Sequence, residues 1–260
     1  MTADSTIPSQ AAAVASQNGH PRTKICVYCG AAPGASPAHI EAARALGRAM
    51  AENNIDLGES QREAVRQQPM PTRAANRRPP VYGGGTVGLM GEVAKSLCAI
   101  NGPESVHGII PEALVKFERD GTYGTVNEHN HIVPEESVYG RTTVVKDMHT
   151  RKKLMAEEVF AGGPGSGFIG LSGGFGTMEE IFETTTWNQL GIHNRGIVLL
   201  NIEGYWDGIV QWMDRASEEG FVKPANKNIL VNADTPEGAI KALREYKVSD
   251  AIYQLQWGSQ

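Results

Sequence analysis

The chain has 260 residues, of which 40% are hydrophobic, and its formal net charge at pH 7 is −5. A chain of this length can bury a core of its own, and a single domain is the simplest organisation. The acidic balance excludes the global positive field that drives most nucleic-acid binding, and no apolar run is long enough to cross a bilayer. Neither a nucleic acid nor a membrane is therefore expected as a partner.

The first residues are rich in Ala, Ser and Gln and lack the continuous apolar segment of a secretory signal. We expect a disordered N-terminal tail over residues 1–23 and a single domain over residues 24–260. Arg22 is the only arginine in this tail, whereas mitochondrial presequences are usually rich in arginine. The expected location is therefore the cytoplasm.

Short apolar segments alternate with stretches of helical periodicity in the rest of the chain. The segment Lys24–Tyr28 predicts the first strand, and the apolar spacing from Ile40 to Met50 predicts the helix that follows it. Further strands, with helices between them, are predicted at 81–82, 105–110, 142–146, 168–171, 196–200 and 229–231. This alternation is typical of an α/β fold, and we predict a Rossmann-like, doubly wound parallel sheet with helices on both faces.

Two polar stretches interrupt the alternation. Residues 58–80 contain five Arg and two Glu without a sustained apolar stripe, and residues 118–137 are also polar. We expect an inserted surface loop at each of these places.

Cys26 and Cys29 have the spacing C-x-x-C. A zinc ribbon needs a second pair of ligands, and a thioredoxin-like site places its first cysteine at the start of a helix. Cys26 instead lies within the predicted first strand, so we expect it to pack in the core and expect no metal site.

Two glycine-rich segments follow predicted strands and precede predicted helices. The first extends from Val81 to Gly91, and the second from Leu171 to Glu180. In such a position, backbone N–H groups at a helix N-terminus can surround a phosphate. The second segment has neither the lysine of a Walker A loop nor the dinucleotide-binding glycine spacing. The glycines alone are explained as well by tight-turn packing as by phosphate binding.

The predicted helix 148–160 begins with a basic cluster. Arg151 lies three residues after Met148 and four before Met155, which places it on the predicted buried face. Lys152 shares that side, whereas Lys153 is expected in solvent. Because an unpaired buried charge is costly, Arg151 is expected to have an anionic partner.

Glu179 and Glu180 stand in the first turn of the helix after the second glycine segment. Carboxylates there complement the helix dipole, but beside a bound nucleotide they can also stabilise a positively charged ribose or activate water. We predict that Met178, Ile181, Phe182 and Thr185 form the apolar face of this helix and that both glutamates flank it.

Taken together, these motifs resemble the LONELY GUY family of cytokinin riboside 5′-monophosphate phosphoribohydrolases, once described as lysine decarboxylase-like. The family's Pro-Gly-Gly-x-Gly-Thr-x-x-Glu is found at Ser172–Glu180, with Ser172 in place of proline, and its Met-His-x-Arg-Lys at Met148–Lys152. The match covers about residues 24–232 and also includes the segments 27–34, 82–91, 187–193 and 218–224.

The resemblance implies a Rossmann-like enzyme that forms a homodimer or a dimer-based higher oligomer. It implies hydrolysis, without metal or cofactor, of the N-glycosidic bond of a nucleotide 5′-monophosphate such as N6-isopentenyl-AMP, with free cytokinin base and ribose 5-phosphate as products. The catalytic pair would be Arg151 and Glu179. The substrate-binding residues would be Lys152, Gly173, Gly174, Phe175, Gly176, Thr177, Glu180, Thr185, and Gly83, Gly84 and Gly85 of the first segment.

The hypothetical mechanism places the 5′-phosphate on residues 173–177. Glu179 would stabilise positive charge at the anomeric carbon and orient water, while Arg151 would hold Glu179 ionised. The stretches 58–80, 118–137 and 162–167 depart from the family pattern as longer or inserted segments.

Other functions stay open at this point. A general purine 5′-monophosphate nucleosidase would use the same loops, and a nucleotide or molybdopterin carrier would bind without turnover. An NAD-dependent dehydrogenase is disfavoured by the glycine spacing of the second segment and by the lack of a convincing ribose-binding acid after the first segment. A pyridoxal-dependent decarboxylase is disfavoured because neither Lys95 nor Lys146 lies in a pattern that suggests a Schiff base.

Overall fold

The structure is a computed structural model that describes residues 22–53, 81–115, 125–126, 131–253, 255 and 257. The predicted loop 58–80 and all but two residues of the predicted tail 1–23 lie outside the described residues. So do 118–124 and 127–130 of the predicted loop 118–137. Within the described ranges, no helix is long and apolar enough to cross a membrane.

The described part of the chain contains nine strands and seven α-helices. The strands are β1 (Ile25–Tyr28), β2 (Val81–Tyr82), β3 (His107–Pro111), β4 (Thr125–Val126), β5 (Ile132–Val133), β6 (Arg141–Val145), β7 (Gly167–Gly170), β8 (Gly196–Leu200) and β9 (Leu230–Ala233). The helices are α1 (Pro37–Glu52), α2 (Gly88–Asn101), α3 (Glu136–Tyr139), α4 (Met148–Phe160), α5 (Phe175–Gln189), α6 (Asp207–Glu218) and α7 (Pro236–Glu245).

Seven strands form one parallel sheet in the order β6-β3-β2-β1-β7-β8-β9, and β4 pairs with β5 in a separate antiparallel pair. From β1 the chain moves outward through β2, β3 and β6, and it then returns to the other side of β1 with β7. The order therefore reverses between β1 and β7. This is the predicted doubly wound parallel sheet, and its crevice lies at the carboxyl ends of these two strands.

Alternate residues of the central strands enter two different cores, which places helices on both faces. Ile25 and Val27 of β1 belong to the core that α1, α2 and α7 cover. Cys26 and Tyr28 belong to the core on the opposite face, with Met155 of α4. Cys26 is fully buried, so the prediction of core packing is confirmed.

The helix α4 begins at Met148 and ends at Phe160, as its sequence predicts. Asp147 caps it, because the carboxylate accepts a hydrogen bond from the backbone N–H of Thr150 at 2.7 Å. This cap fixes the residue at which α4 begins, and Arg151 lies in the first turn after it.

Two buried histidines are held in the neutral form. The Nδ1 atom of His107 lies 3.1 Å from an Arg141 nitrogen, which can only donate, and the backbone N–H of Arg195 donates to Nδ1 of His193 at 3.1 Å. Burial, with the nearby Arg141 or Arg195 charge as a smaller cause, lowers the pKa of each ring from 6.5 to about 4. Protonation of either ring removes an acceptor in a buried position.

These histidines predict an acid limit to stability. The pKa of each histidine ring is lower in the folded protein than in the unfolded chain. The contribution of the neutral ring to the unfolding free energy is therefore complete above pH 6.5 and is lost as the pH falls toward 4. The expected loss is about 3 kcal/mol of unfolding free energy for each ring. Urea unfolding at a series of pH values measures this loss. The proteins compared are wild type, His193→Gln and, as the control, His149→Gln, because the side chain of His149 is exposed. The dependence of the unfolding free energy on pH should become less steep in His193→Gln, which keeps the contribution of His107, and should stay as in wild type in His149→Gln. Parallel profiles for all three proteins would contradict the assignment.

Candidate active site

The loop that follows β1 joins the two glycine-rich segments at the carboxyl edge of the sheet. The backbone N–H of Gly30 donates to the carbonyl of Ser172 at 3.0 Å, and the carbonyl of Gly30 accepts from Leu89 at 3.1 Å. A Cβ at Gly30 would lie 3.3 Å from the Cα of Gly173. The three loops therefore meet at the switch point of the sheet, where ligands of such folds bind.

The first glycine segment is buried and makes room for an arginine. A Cβ at Gly83 would lie 2.1 Å from Nη2 of Arg151, so a larger residue would displace the guanidinium from this position. Gly84 has φ +75° and packs against Ile109, which is also a glycine requirement. Gly83, Gly84 and Gly85 are all buried, and tight packing accounts for the first two.

The second glycine segment is open to solvent at residues 174–176. No heavy atom lies within 4 Å of the position that a Cβ would take at Gly174 or Gly176, and Phe175 between them is 96% exposed. Helix α5 begins in this segment, with Gly174 as its N-cap residue. Thr177 is buried, and its Oγ1 occupies the space beside Gly173. The segment is thus an open helix N-terminus, which suits an anion.

Arg151 and Glu180 form a buried ion pair one turn beyond this helix start. Nη1 of Arg151 lies 2.7 Å from Oε1 of Glu180, and the two side chains are 9% and 8% exposed. Nε of Arg151 donates to the carbonyl of Ile109 at 3.1 Å. Burial raises the pKa of Glu180, while the charge of Arg151 opposes this rise. The expectation that Arg151 is buried with an anionic partner is confirmed.

The partner of Arg151 differs from the expected one. Arg151 pairs with Glu180, whereas Glu179, with a 53% exposed side chain, contacts Lys152. Of the four residues predicted to form the apolar face of α5, only Ile181 is buried, and Met178, Phe182 and Thr185 are half-buried. The buried face of α5 instead comprises Thr177, Glu180, Ile181, Thr184 and Asn188. Glu180 therefore points inward with this mainly polar row.

Lys152 connects the basic helix to the exposed side of α5. Its Nζ lies 2.5 Å from Oε1 of Glu179 and 3.0 Å from Oε1 of Glu183. Partial burial alone would lower the pKa of Lys152, but its hydrogen bonds to the two glutamates outweigh this and raise it, so the side chain stays charged. Lys153 is 62% exposed, as its helical position predicts.

Two further side chains contact the second glycine segment and were not predicted. The hydroxyl of Tyr205 donates to the carbonyl of Gly173 at 2.6 Å, and Nδ1 of His39 lies 2.9 Å from the hydroxyl of Ser172. The one sequence signal for Tyr205 is its place after the predicted strand 196–200, at the same edge of the sheet. Thr185, an expected binding residue, uses its hydroxyl on the carbonyl of Ile181 at 2.8 Å.

The described residues contain no group of three or more His, Cys, Asp or Glu side chains that could hold a metal ion. The site combines three features: the open N-terminus of α5, the buried carboxylate of Glu180 beside the guanidinium of Arg151, and the carboxylate of Glu179 near solvent. Such a set can bind a phosphate and stabilise positive charge on an attached sugar.

Comparison with known proteins agrees with this arrangement. The family model described as "Possible lysine decarboxylase" matches residues 90–243. A bifunctional cytokinin biosynthesis protein of Fusarium pseudograminearum is 45% identical over 235 residues, which are 90% of this chain and 42% of that protein. The chain thus spans less than half the length of this relative.

Two plant relatives match over most of their length. A probable cytokinin riboside 5′-monophosphate phosphoribohydrolase of Oryza sativa is 36% identical, over 90% of this chain and 78% of that protein. A cytokinin riboside 5′-monophosphate phosphoribohydrolase of Arabidopsis thaliana is 36% identical, over 86% of this chain and 83% of that protein.

Among solved structures, a molybdenum cofactor binding protein of Rippkaea orientalis is similar with a TM-score of 0.47 and 19% identity, over 86% of this chain and 96% of that one. The strand order, and not this similarity, defines the fold. The family model and the plant relatives cover most of the motifs on which the site is built. The chain belongs to the LONELY GUY family, the family of the cytokinin riboside 5′-monophosphate phosphoribohydrolases.

Proposed function

We propose that the chain hydrolyses the N-glycosidic bond of cytokinin riboside 5′-monophosphates, such as N6-isopentenyl-AMP, and releases the free cytokinin base and ribose 5-phosphate. The observation that carries the proposal is the buried pair Arg151–Glu180, one turn beyond an open, glycine-rich helix start at the switch point of the sheet. The plant relatives named as phosphoribohydrolases support it.

The 5′-phosphate binds at residues 173–177 in this proposal. The backbone N–H groups and the dipole of α5 favour an anion there, and the open space at Gly174 and Gly176 admits one. Binding of the phosphate fixes the distance of the ribose from Glu179 and Glu180, because α5 begins at Phe175 and both glutamates lie in its second turn.

The two carboxylates have different roles in the proposed reaction. Glu180, held ionised by Arg151 in a buried position, stabilises the positive charge that develops on the ribose as the glycosidic bond breaks. Glu179, half-exposed and held by Lys152, orients the attacking water. Arg151 thus supports Glu180 and not Glu179, the carboxylate that the sequence resemblance pairs with it.

Several expectations stay predictions. They are substrate contacts by Phe175, Thr185 and Gly83–Gly85, assembly as a homodimer or dimer-based oligomer, and a cytoplasmic location. The structure gives Gly83 a second role, because it leaves room for the guanidinium that accompanies Glu180.

The substrate is tested by incubating the purified chain with N6-isopentenyl-AMP, AMP and isopentenyladenosine. Chromatography follows the free base and ribose 5-phosphate. We expect release from the prenylated monophosphate and none from the riboside, because the glycine segment binds through the phosphate. Equal release from AMP would indicate a general purine 5′-monophosphate nucleosidase instead, and no release from any of the three would favour a carrier.

The division of roles predicts different effects for three isosteric variants on one helix. Glu180→Gln should lower kcat by about 10³-fold or more, because it removes the charge beside the ribose. Glu179→Gln should lower kcat by about 10- to 100-fold. Glu183→Gln, the matched control, also contacts Lys152 and should stay within about twofold of wild type. Steady-state kinetics, with circular dichroism to verify folding, measures all three. Near-normal turnover by Glu180→Gln would refute its assigned role.

A further inference from the structure

Two successive peptide groups of the second glycine segment are held by hydrogen bonds to their carbonyls. The carbonyl of Ser172 accepts from the N–H of Gly30 at 3.0 Å, and the carbonyl of Gly173 accepts from the hydroxyl of Tyr205 at 2.6 Å. In a planar trans peptide, the N–H of the next residue points the opposite way from the carbonyl. These bonds therefore also fix the directions of the N–H groups of Gly173 and Gly174.

This restraint matters because glycine has little conformational preference of its own. Gly174 has open space around the position of a Cβ, so no packing holds it in place there. Without the bond to Tyr205, the peptide between Gly173 and Gly174 could rotate at little steric cost. An N–H group that must be ordered on binding contributes less to affinity than one that is already oriented.

The turn that carries Tyr205 is itself held in an unusual conformation. Glu203 has φ +53°, the only positive value at a described residue other than glycine, and Gly204 follows with φ +72°. Asn201 supports this turn: its Oδ1 accepts from the backbone N–H of Trp206 at 2.7 Å, and its Nδ2 donates to Asp207 at 2.8 Å. Strain that neighbouring bonds maintain in this way is typical of turns that present a functional group.

Aromatic contacts complete the support of Tyr205. Its ring packs edge-on against the buried Trp206 at 4.9 Å and against His39 at 5.6 Å. His39 in turn contacts the hydroxyl of Ser172, the residue that replaces the proline of the family motif. The ring of Tyr205 is thus fixed from two sides while its hydroxyl reaches the glycine segment.

We infer that Tyr205 is a positioning residue for phosphate binding. Its hydroxyl holds the Gly173–Gly174 peptide so that the N–H of Gly174 faces the 5′-phosphate before the substrate arrives. The inference rests on the proposed function, because it takes the second glycine segment as the phosphate site.

Tyr205→Phe tests this inference, because it removes the hydroxyl and keeps the ring between Trp206 and His39. Tyr253→Phe is the matched control: Tyr253 is 44% exposed against 45% for Tyr205, and its backbone N–H, which the substitution keeps, donates to the carbonyl of Gln189 at the other end of α5. Three quantities are measured for both variants and wild type. They are the affinity for ribose 5-phosphate by calorimetry, KM and kcat for N6-isopentenyl-AMP, and the rates of amide hydrogen exchange at residues 172–176.

Tyr205→Phe should bind ribose 5-phosphate about 5- to 10-fold more weakly and raise KM by a similar factor, with kcat within about twofold. Hydrogen exchange in the glycine segment should become faster, whereas Tyr253→Phe should match wild type. Wild-type affinity and exchange in Tyr205→Phe would overturn the inference and leave the proposed function intact. A wild-type protein that neither binds ribose 5-phosphate nor hydrolyses the nucleotide would overturn the proposed function, and the inference with it.

Discussion

The buried ion pair between Arg151 and Glu180 is the interaction on which the rest of the site depends. Removing two charges from water is costly, and it is compensated only where geometry and further hydrogen bonds are good. Here the guanidinium contacts Glu180 at 2.7 Å and the carbonyl of Ile109 at 3.1 Å, and Gly83 leaves it the necessary space. Loss of one partner would leave the other charge buried and unpaired, at a cost of about 3 to 5 kcal/mol.

The topology of the sheet brings this pair and the second glycine segment together. Arg151 follows β6 at one end of the sheet order, whereas Glu180 follows β7 on the other side of β1. Both helices lie on the face that contains Cys26 and Tyr28, and the loop at Gly30 joins the glycine segments at the edge above them. The doubly wound order is therefore what converts two distant motifs into one site, and it leaves the start of α5 open for a ligand.

The sequence predicts the elements well because their signals are local. Apolar segments locate the seven strands of the parallel sheet to within about two residues, but they do not reveal β4 and β5. The position of Arg151 four residues before Met155 correctly predicts its burial, although Met148 is itself 40% exposed. The partner of Arg151 is not predictable in this way. The buried face of α5 contains Thr177, Thr184 and other polar residues, so a hydrophobic stripe does not reveal that Glu180 points inward.

For a related reason, the sequence does not predict contacts between segments that are far apart along the chain. Tyr205 and Gly173 are separated by 32 residues, and only the parallel order of β7 and β8 brings them to the same edge of the sheet. A sequence motif records that a glycine is present, but not which side chain holds its carbonyl. The resemblance to a family gave the region of the site, and the structure assigned the pairing of charges within it.

The central claim, that Arg151 and Glu180 act as one unit, is tested most directly by a double-mutant cycle. The values of kcat/KM for N6-isopentenyl-AMP are measured for wild type, Arg151→Met, Glu180→Gln and the double variant, with folding verified for each. We expect the double variant to lose about as much activity as either single variant, because removing one partner already disables the pair. Losses that multiply, so that the double variant shows the product of the two single effects, would show independent residues and contradict the account.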